Sequence, residues 1–338
     1  MISIIIIFRN DIDEVKRCLS GLGVYTDDRF EVILVNDGSV LPSGKPHKVQ
    51  REELLIVDLS QVKIVNLSTN FGVGHAFDRG VEVATGEHII LMGADVTPLG
   101  NWYEQVLEAV TANPNTLGCA VCVGSATKNR HYGADLLFTV DKNDLPDSSP
   151  LKNNEHYAEL FKGKWLPSKQ SDSPYEIPCL MGAFYWISKE YYKLLGGWDT
   201  IAGDKFAGHR IWSHLESHIS LKSWLVGGGC TLYPNIEAEH IFGRHDRKTK
   251  WQKGGRSAEW QWWDALWILE TCILDEFARQ ALYDFVESRL SPRLNYNVAR
   301  KMIRDHYDGV LKVREANRVK FTNDLSIFED KFNYSFVR

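Results

Sequence analysis

No stretch of this chain reaches the roughly 18 uncharged apolar residues that a membrane span requires. Its opening, MISIIIIFRND, has only a short apolar run and neither a basic leader nor a small-residue cleavage site, so it reads as a first strand. A soluble, cytoplasmic protein with no transmembrane segment is the expectation. Cysteine is sparse: Cys18, Cys119, Cys122, Cys179, Cys230 and Cys272 are scattered, mostly inside apolar runs, which favours buried thiols in a reducing compartment over a disulfide framework. Cys119 and Cys122 form a CAVC, yet no second pair stands at zinc-site spacing. Basic excess is missing too. With 39 Lys and Arg against 44 Asp and Glu, the formal charge of −5 argues against a surface that is one large nucleic-acid footprint, though not against a local basic groove. Nor does GxGxxG follow the first strand; the turn there is FRND, which argues against a nicotinamide cofactor.

What is present is ample core and a regular rhythm. A chain of 338 residues with 44% hydrophobic content suffices for one large domain or two ordinary ones. Residues 3–8 are rich in β-formers, and Asp11 then caps a helix whose Ile12, Val15, Cys18, Leu19 and Leu22 recur at helical spacing. Residues 31–35 form a second strand that runs into the polar turn Asn36, Asp37, Gly38, Ser39, and after an exposed insertion at 40–60 a third follows at 62–67. Val73, Phe77, Val81 and Ala84 share one helical face and leave Arg79 on another. The segment TGEHIILMGADVTP, residues 85–98, is the centre of this half. Ile89 to Met92 read as a buried strand broken by Gly93 and Pro98, which sets Asp95 at the strand's exit. In open α/β sheets ligands bind there, so Asp95 is a metal ligand or catalytic group, or else caps the turn before Pro98. A helix through Trp102, Val106 and Val110 and a strand at 117–123 complete a mostly parallel α/β sheet.

The second half is less regular. From 125 to 173 the periodicity fades into a long loop or small subdomain over the site. EIPCLMGAFYWISKEYYKLLGGWD then gives a strand and a short helix that stops at Gly196 and Gly197. A helix over 212–224 carries Glu216, and CTLY leads to His240. Arg247, Lys248, Lys250, Lys253 and Arg256 make a basic loop. Beyond it a helix opens at Ala258 with Trp260, Trp263, Trp267, Leu274 and Phe277 at helical offsets, a stripe that suits packing better than a binding platform. The organisation expected is a domain over 1–256, divided into a nucleotide-binding half (1–125) and an acceptor half (126–256), followed by a helical appendage over 257–338 with a partner of its own.

The motifs resemble the GT-A fold nucleotide-sugar glycosyltransferases, both the broad family-2 type and the polypeptide N-acetylgalactosaminyltransferases. SIIIIFRND is similar to that family's first strand, EVILVNDGS to its base-binding turn, and TNFGVGHAFDRGVEVATGEHIILMGADVTP to the segment ending in its DxD metal motif. EIPCLMGAFYWISKEYYKLLGGWD resembles its acceptor-side block, and AEHIFGR its closing His-x-Phe-Arg element, here with Gly243 inserted. The resemblance implies a metal-dependent transfer of sugar from a nucleotide-sugar, such as a UDP-sugar, to a hydroxyl. It places Phe8, Asn10, Asp37, Arg79, Gly93, Ala94, Asp95 and Arg244 at the nucleotide-sugar, Asp37 on the base through an imide N–H. Asp95 and His240 would hold the metal, an oxygen and imidazole set that suits Mn²⁺ (or Mg²⁺) better than Ca²⁺. Gly93 departs from the pattern, standing where the first acid of DxD belongs. Glu216 takes the place of the catalytic base, with Leu215 where another acid is usual; Asp204 and Asp199 are rival carboxylates, and a surface salt bridge is the plainer reading of Glu216. His214 and His218 flank it as acceptor-side or structural groups. Arg244, Arg247 and Lys248 form either a lid over the phosphates or a solvated loop. The acceptor is left open between a glycan, a protein side chain and a hydroxymethylated base in DNA, the last suggested by the basic loop and tail. A sugar-nucleotide nucleotidyltransferase and a non-catalytic nucleotide-sugar-binding module are the alternatives.

Overall fold

In the computed structural model, residues 1–23, 29–54, 60–149, 151–182, 184–201, 204, 206–242, 258–290 and 293–334 are described. The first half follows the expected alternation: β1 (Ile2–Phe8), α1 (Ile12–Gly21), β2 (Phe30–Asn36), β3 (Val62–Asn66), α2 (Val73–Val83), β4 (His88–Gly93), β5 (Val96–Pro98), α3 (Trp102–Ala112) and β6 (Leu117–Gly124). The second half adds β7 (Arg130–His131), β8 (Ala134–Asp141), β9 (Ala158–Trp165), β10 (Tyr175–Glu176), β11 (Phe184–Ser188), α4 (Lys189–Leu195), α5 (Leu215–Val226) and β12 (Cys230–His240). Five more helices follow: α6 (Ala258–Cys272), α7 (Glu276–Arg289), α8 (Leu294–Asp305), α9 (Tyr307–Lys320) and α10 (Ser326–Phe332).

The main sheet has the order β10-β12-β6-β11-β4-β1-β2-β3, with β5 added to β12 and β7 to β6. β1 pairs in parallel with both β2 and β4, while β11 is antiparallel to β4 and β6. Every residue of β1 and β2 is buried, because helices cover both faces and alternate side chains enter different cores. Ile4 and Ile6 pack with Val15 and Leu19 of α1 and Val106 of α3, whereas Ile5 and Ile7 pack with Phe77 of α2 on the other face. This double burial explains why the strands read as unbroken apolar runs.

Of the long loop or small subdomain expected over 125–173, the structure has the second, a two-stranded antiparallel sheet of β8 with β9. In β8, Ala134, Leu136, Phe138 and Val140 point inward, and Phe138 meets Phe161 and Phe328 edge to face. Within the insertion at 40–60 most of the described residues are exposed, as expected, and Val49 and Leu54 are its buried anchors. The aromatic stripe after 258 is not one helix. α6 ends at Cys272, Asp275 caps α7 by accepting from Ala278 N at 2.7 Å, and Phe277 is left 87% exposed. Trp263 and Trp267 are fully buried and carry out the packing role. Nor do the helices beyond 257 stand apart: Leu266, Val286, Ile303 and Phe328 lie in the same hydrophobic core as Phe77 and Trp198. All six cysteines are free and buried, and among the described residues no helix is long and apolar enough to cross a membrane.

Candidate active site

Two strand ends build the centre of the site. β4 leaves the sheet at Gly93, and the chain turns through Asp95 into β5, which pairs antiparallel with the last residues of β12 so that His240 lies opposite Val96. A backbone hydrogen bond from Ile241 N to Asp95 O (3.0 Å) locks that crossing. It brings His240 Nε2 to 3.4 Å from Asp95 Oδ2, with the two side chains 19% and 20% exposed. Two donors about 2.1 Å from one ion and at right angles lie about 3 Å apart, so this pair suits adjacent positions around a divalent cation. The imidazole is oriented by Phe242, whose ring stands edge-on to it at 4.1 Å, while its buried Nδ1 has no hydrogen-bond partner among the described residues. Among the described residues no cluster of three or more metal-ligating side chains occurs, so further coordination would fall to phosphate oxygens and water.

Gly93 has a local reason. A Cβ there would lie 2.5 Å from Asp95 Oδ1 and 3.6 Å from the indole of Trp212, so the space that an acid would use is filled by the Asp95 carboxylate itself. Asp264 of α6 fixes the approach of the loop carrying Trp212 by accepting from Arg210 N (2.7 Å) and Ile211 N (3.0 Å).

Glu216, in the first turn of α5, reaches the same cleft, of about 610 Å³, as Asp95 and His240. Its Oε1 accepts from the Tyr185 hydroxyl at 2.7 Å, and Tyr185 sits on β11 opposite Leu91 of β4. Burial pushes the Glu216 carboxyl above its ordinary range, while the Tyr185 hydrogen bond and His240 pull it back. A half-buried carboxylate held by the Tyr185 hydroxyl beside a metal-type pair can accept a proton or stabilise charge. Among the described residues Glu216 is in no salt bridge and pairs with the Tyr185 hydroxyl. His214 also lines this cleft, its imidazole pushed down to about 4 by burial.

The other expected residues lie elsewhere. Phe8, Asn10 and Asp37 gather at the adjoining ends of β1 and β2. Phe8 O accepts from Asp37 N (3.0 Å), and Asn10 Oδ1 accepts from Val40 N (2.7 Å). The Asp37 carboxylate is buried and already receives Asn70 Nδ2 (3.0 Å), Phe71 N (2.9 Å) and Gly72 N (3.2 Å), so its oxygens hold the 70–72 loop. Ala94 ties to β1 through its amide on Ile7 O (3.3 Å). Arg79 pairs with Glu82 at 2.5 Å on α2 and does not line the cleft. Asp204 is exposed, accepts from Phe206 N (2.8 Å) within a turn, and also stands outside the cleft. Asp199 is buried against Lys222, with His218 Nε2 at 3.0 Å and Trp267 Nε1 at 3.3 Å, a structural hub into which His218 is drawn. Arg244, Arg247 and Lys248 lie outside the described residues. Sequence reasoning missed Tyr185, Trp212 and the cleft wall made by β9 and α6. Tyr185 is one ring in the buried strand FYWIS, and nothing local marks it as the partner of Glu216.

A family model described as "Glycosyl transferase family 2" matches residues 3–194. Polypeptide N-acetylgalactosaminyltransferase 5 of Caenorhabditis elegans is 26% identical over 263 residues, covering 75% of this chain and 38% of that protein. Polypeptide N-acetylgalactosaminyltransferase 8 of Drosophila melanogaster is 24% identical over 249 residues, covering 71% of this chain and 38% of that protein. The chain thus spans well under half the length of these curated relatives. Among solved structures it is similar in fold to GalNAc-T7, crystallised with UDP, GalNAc and Mn²⁺, with a TM-score of 0.65 at 16% identity over 99% of this chain and 56% of that one.

Proposed function

The chain belongs to glycosyl transferase family 2, and from that premise we propose that it moves a sugar from a UDP-sugar to an acceptor hydroxyl with a divalent cation, Mn²⁺ or Mg²⁺. One observation carries the reading: Asp95, His240 and Glu216, from three distant segments, line one cleft at the carboxyl end of a central parallel strand. Asp95 and His240 hold the cation. When bound, it offsets the negative charge that builds on the departing diphosphate. Glu216 receives the proton of the acceptor hydroxyl, and Tyr185 keeps its carboxylate aimed into the cleft. The strand ends carrying Phe8, Asn10 and Asp37 form the neighbouring shoulder on which the nucleoside rests, with Asp37 acting through the loop it anchors.

The alternatives gain nothing. A nucleotidyltransferase needs a Gly-rich loop for triphosphate, and the turn after β1 has no glycine. The hydroxymethylated DNA base expected as one acceptor finds no support in the fold or in the relatives.

The test is thermal unfolding with UDP and Mn²⁺. A ligand at 100 times its Kd stabilises the native state by about 2.7 kcal/mol. The wild-type chain is expected to gain stability on that scale and Asp95→Ala to gain none. An Asp95→Ala chain stabilised as fully as the wild type would remove the central assignment. Slow hydrolysis of a UDP-sugar without acceptor separates an active transferase from a binding module.

A further inference from the structure

We propose that the outer part of the cleft is a carbohydrate acceptor subsite whose stacking platform is Trp165 with Phe242. The inference rests on the transferase reading above and names its acceptor class. The platform sits at the mouth of the site: Phe242 is two residues beyond His240 and stands edge-on to it, and Trp165 comes from the end of β9. Their ring centroids are 5.0 Å apart at 49°, and both line the cleft. Trp165 is 36% and Phe242 37% exposed, a large apolar area left open beside charged groups. Each ring is held by a second contact. The imidazole of His131 braces Trp165 at 4.1 Å and 72°, and His240 braces Phe242, so the surface exists before any ligand arrives.

The chemistry around the rings selects the ligand. A pyranose has one face of C–H bonds that stacks on an aromatic ring and a rim of hydroxyls that needs hydrogen-bond partners. Glu159, Asn154 and Gln261 line the same wall and supply both donors and acceptors. The described part of this wall carries one lysine, Lys162, beside the carboxylate Glu159. That lysine is already engaged by Glu159 (2.6 Å) and by the Tyr157 hydroxyl oxygen (2.8 Å). Among the described lining residues a polyanion would find no uncommitted lysine or arginine for its phosphates. A neutral sugar needs no such cation, and Glu216 lines the same cleft as the rings.

The experiment is saturation-transfer NMR and calorimetric titration of the full chain, with UDP and Mn²⁺ present, using cellobiose, lactose, N,N′-diacetylchitobiose and maltose. At least one disaccharide is expected to bind, Trp165→Ala to weaken it at least about tenfold, and Trp165→Tyr to restore most of the affinity. Phe277→Ala, which removes an exposed ring far along the chain on α7, is the control and is expected to change nothing. The proposal is overturned if none of the four binds, or if Trp165→Ala binds as the wild type does. It is overturned equally if a Ser/Thr-containing peptide or a dT oligonucleotide proves to be the ligand that Trp165→Ala releases. Stabilisation by UDP and Mn²⁺, read on the same samples, separates the two levels: its presence without disaccharide binding sinks the platform alone, and its absence sinks the transferase reading.

Discussion

Replacing Glu216 by Gln keeps the shape of the side chain and an oxygen to accept from Tyr185, but removes the proton acceptor. A positioned general base contributes typically 10²–10⁴-fold, so kcat is expected to fall by that factor, about 3–5 kcal/mol in the barrier. Stability should move the other way. Burial raises the carboxyl in the folded protein, so between the ordinary glutamate value of 4.5 and the raised one the folded state binds more protons than the unfolded state. The stability this group contributes is full below the ordinary value and is lost as pH rises through the folded one. Above the raised value the wild type therefore holds a half-buried, ionised carboxylate at a cost that the amide avoids. Glu216→Gln is expected to melt at or above the wild-type temperature while its turnover collapses. In the wild type the acid limb of kcat should lie above the ordinary glutamate range. Tyr185→Phe should push it higher, since the lost O–H stabilises the ionised form. The assay is UDP-sugar turnover against pH, paired with thermal melts of the same preparations. Turnover of Glu216→Gln within about tenfold of wild type, or a melting temperature that falls together with activity, would refute the reasoning.

Gly93→Asp restores the acid that the family motif carries, yet its Cβ would crowd Asp95 Oδ1 and press on Trp212. Weaker stabilisation by UDP and Mn²⁺ is expected; equal or stronger stabilisation would show that the position tolerates a second acid. Lys222→Met leaves the buried Asp199 carboxylate with His218 and Trp267 as its hydrogen-bond partners among the described residues, and breaking such a pair costs about 3–5 kcal/mol. Burial alone would raise the Asp199 carboxyl, but Lys222 and His218 outweigh it and hold the group below the usual range. Its contribution is thus present above the unfolded carboxylate range and lost as pH falls, so the stability gap between wild type and Lys222→Met should narrow in acid. Urea melts at neutral and acidic pH check both the cost and its direction, and coincident curves at neutral pH would contradict the hub.

The strands β1, β2 and β4 and the helices between them were legible in the sequence because each is buried in a repeating way, and period and apolarity are local properties. β8 and β9 were not. Of the two only β8 alternates, burying one face; β9 loses the alternation after Leu160, and both sit among polar loops that resemble the rest of 125–173. The break between α6 and α7 was hidden because helical offsets continue by chance across Asp275 into Phe277.

At the site, sequence by itself set Asp95 at a strand exit and offered His240 and Glu216 as candidates, since a run of apolar residues ending in an acid announces both the strand and its mouth. It could not say that β5 and β12 cross so that Asp95 and His240 meet, nor that Tyr185 steadies Glu216. Nor could it say that Asp37 turns inward to the 70–72 loop while Asp204 stays in an exposed turn. Those outcomes depend on sheet register and on which helix covers which face, and these are fixed by the packing of the whole chain. A carboxylate looks the same in sequence whether backbone amides have already claimed its oxygens or a cleft has left them to face a ligand; only the folded surroundings distinguish the two.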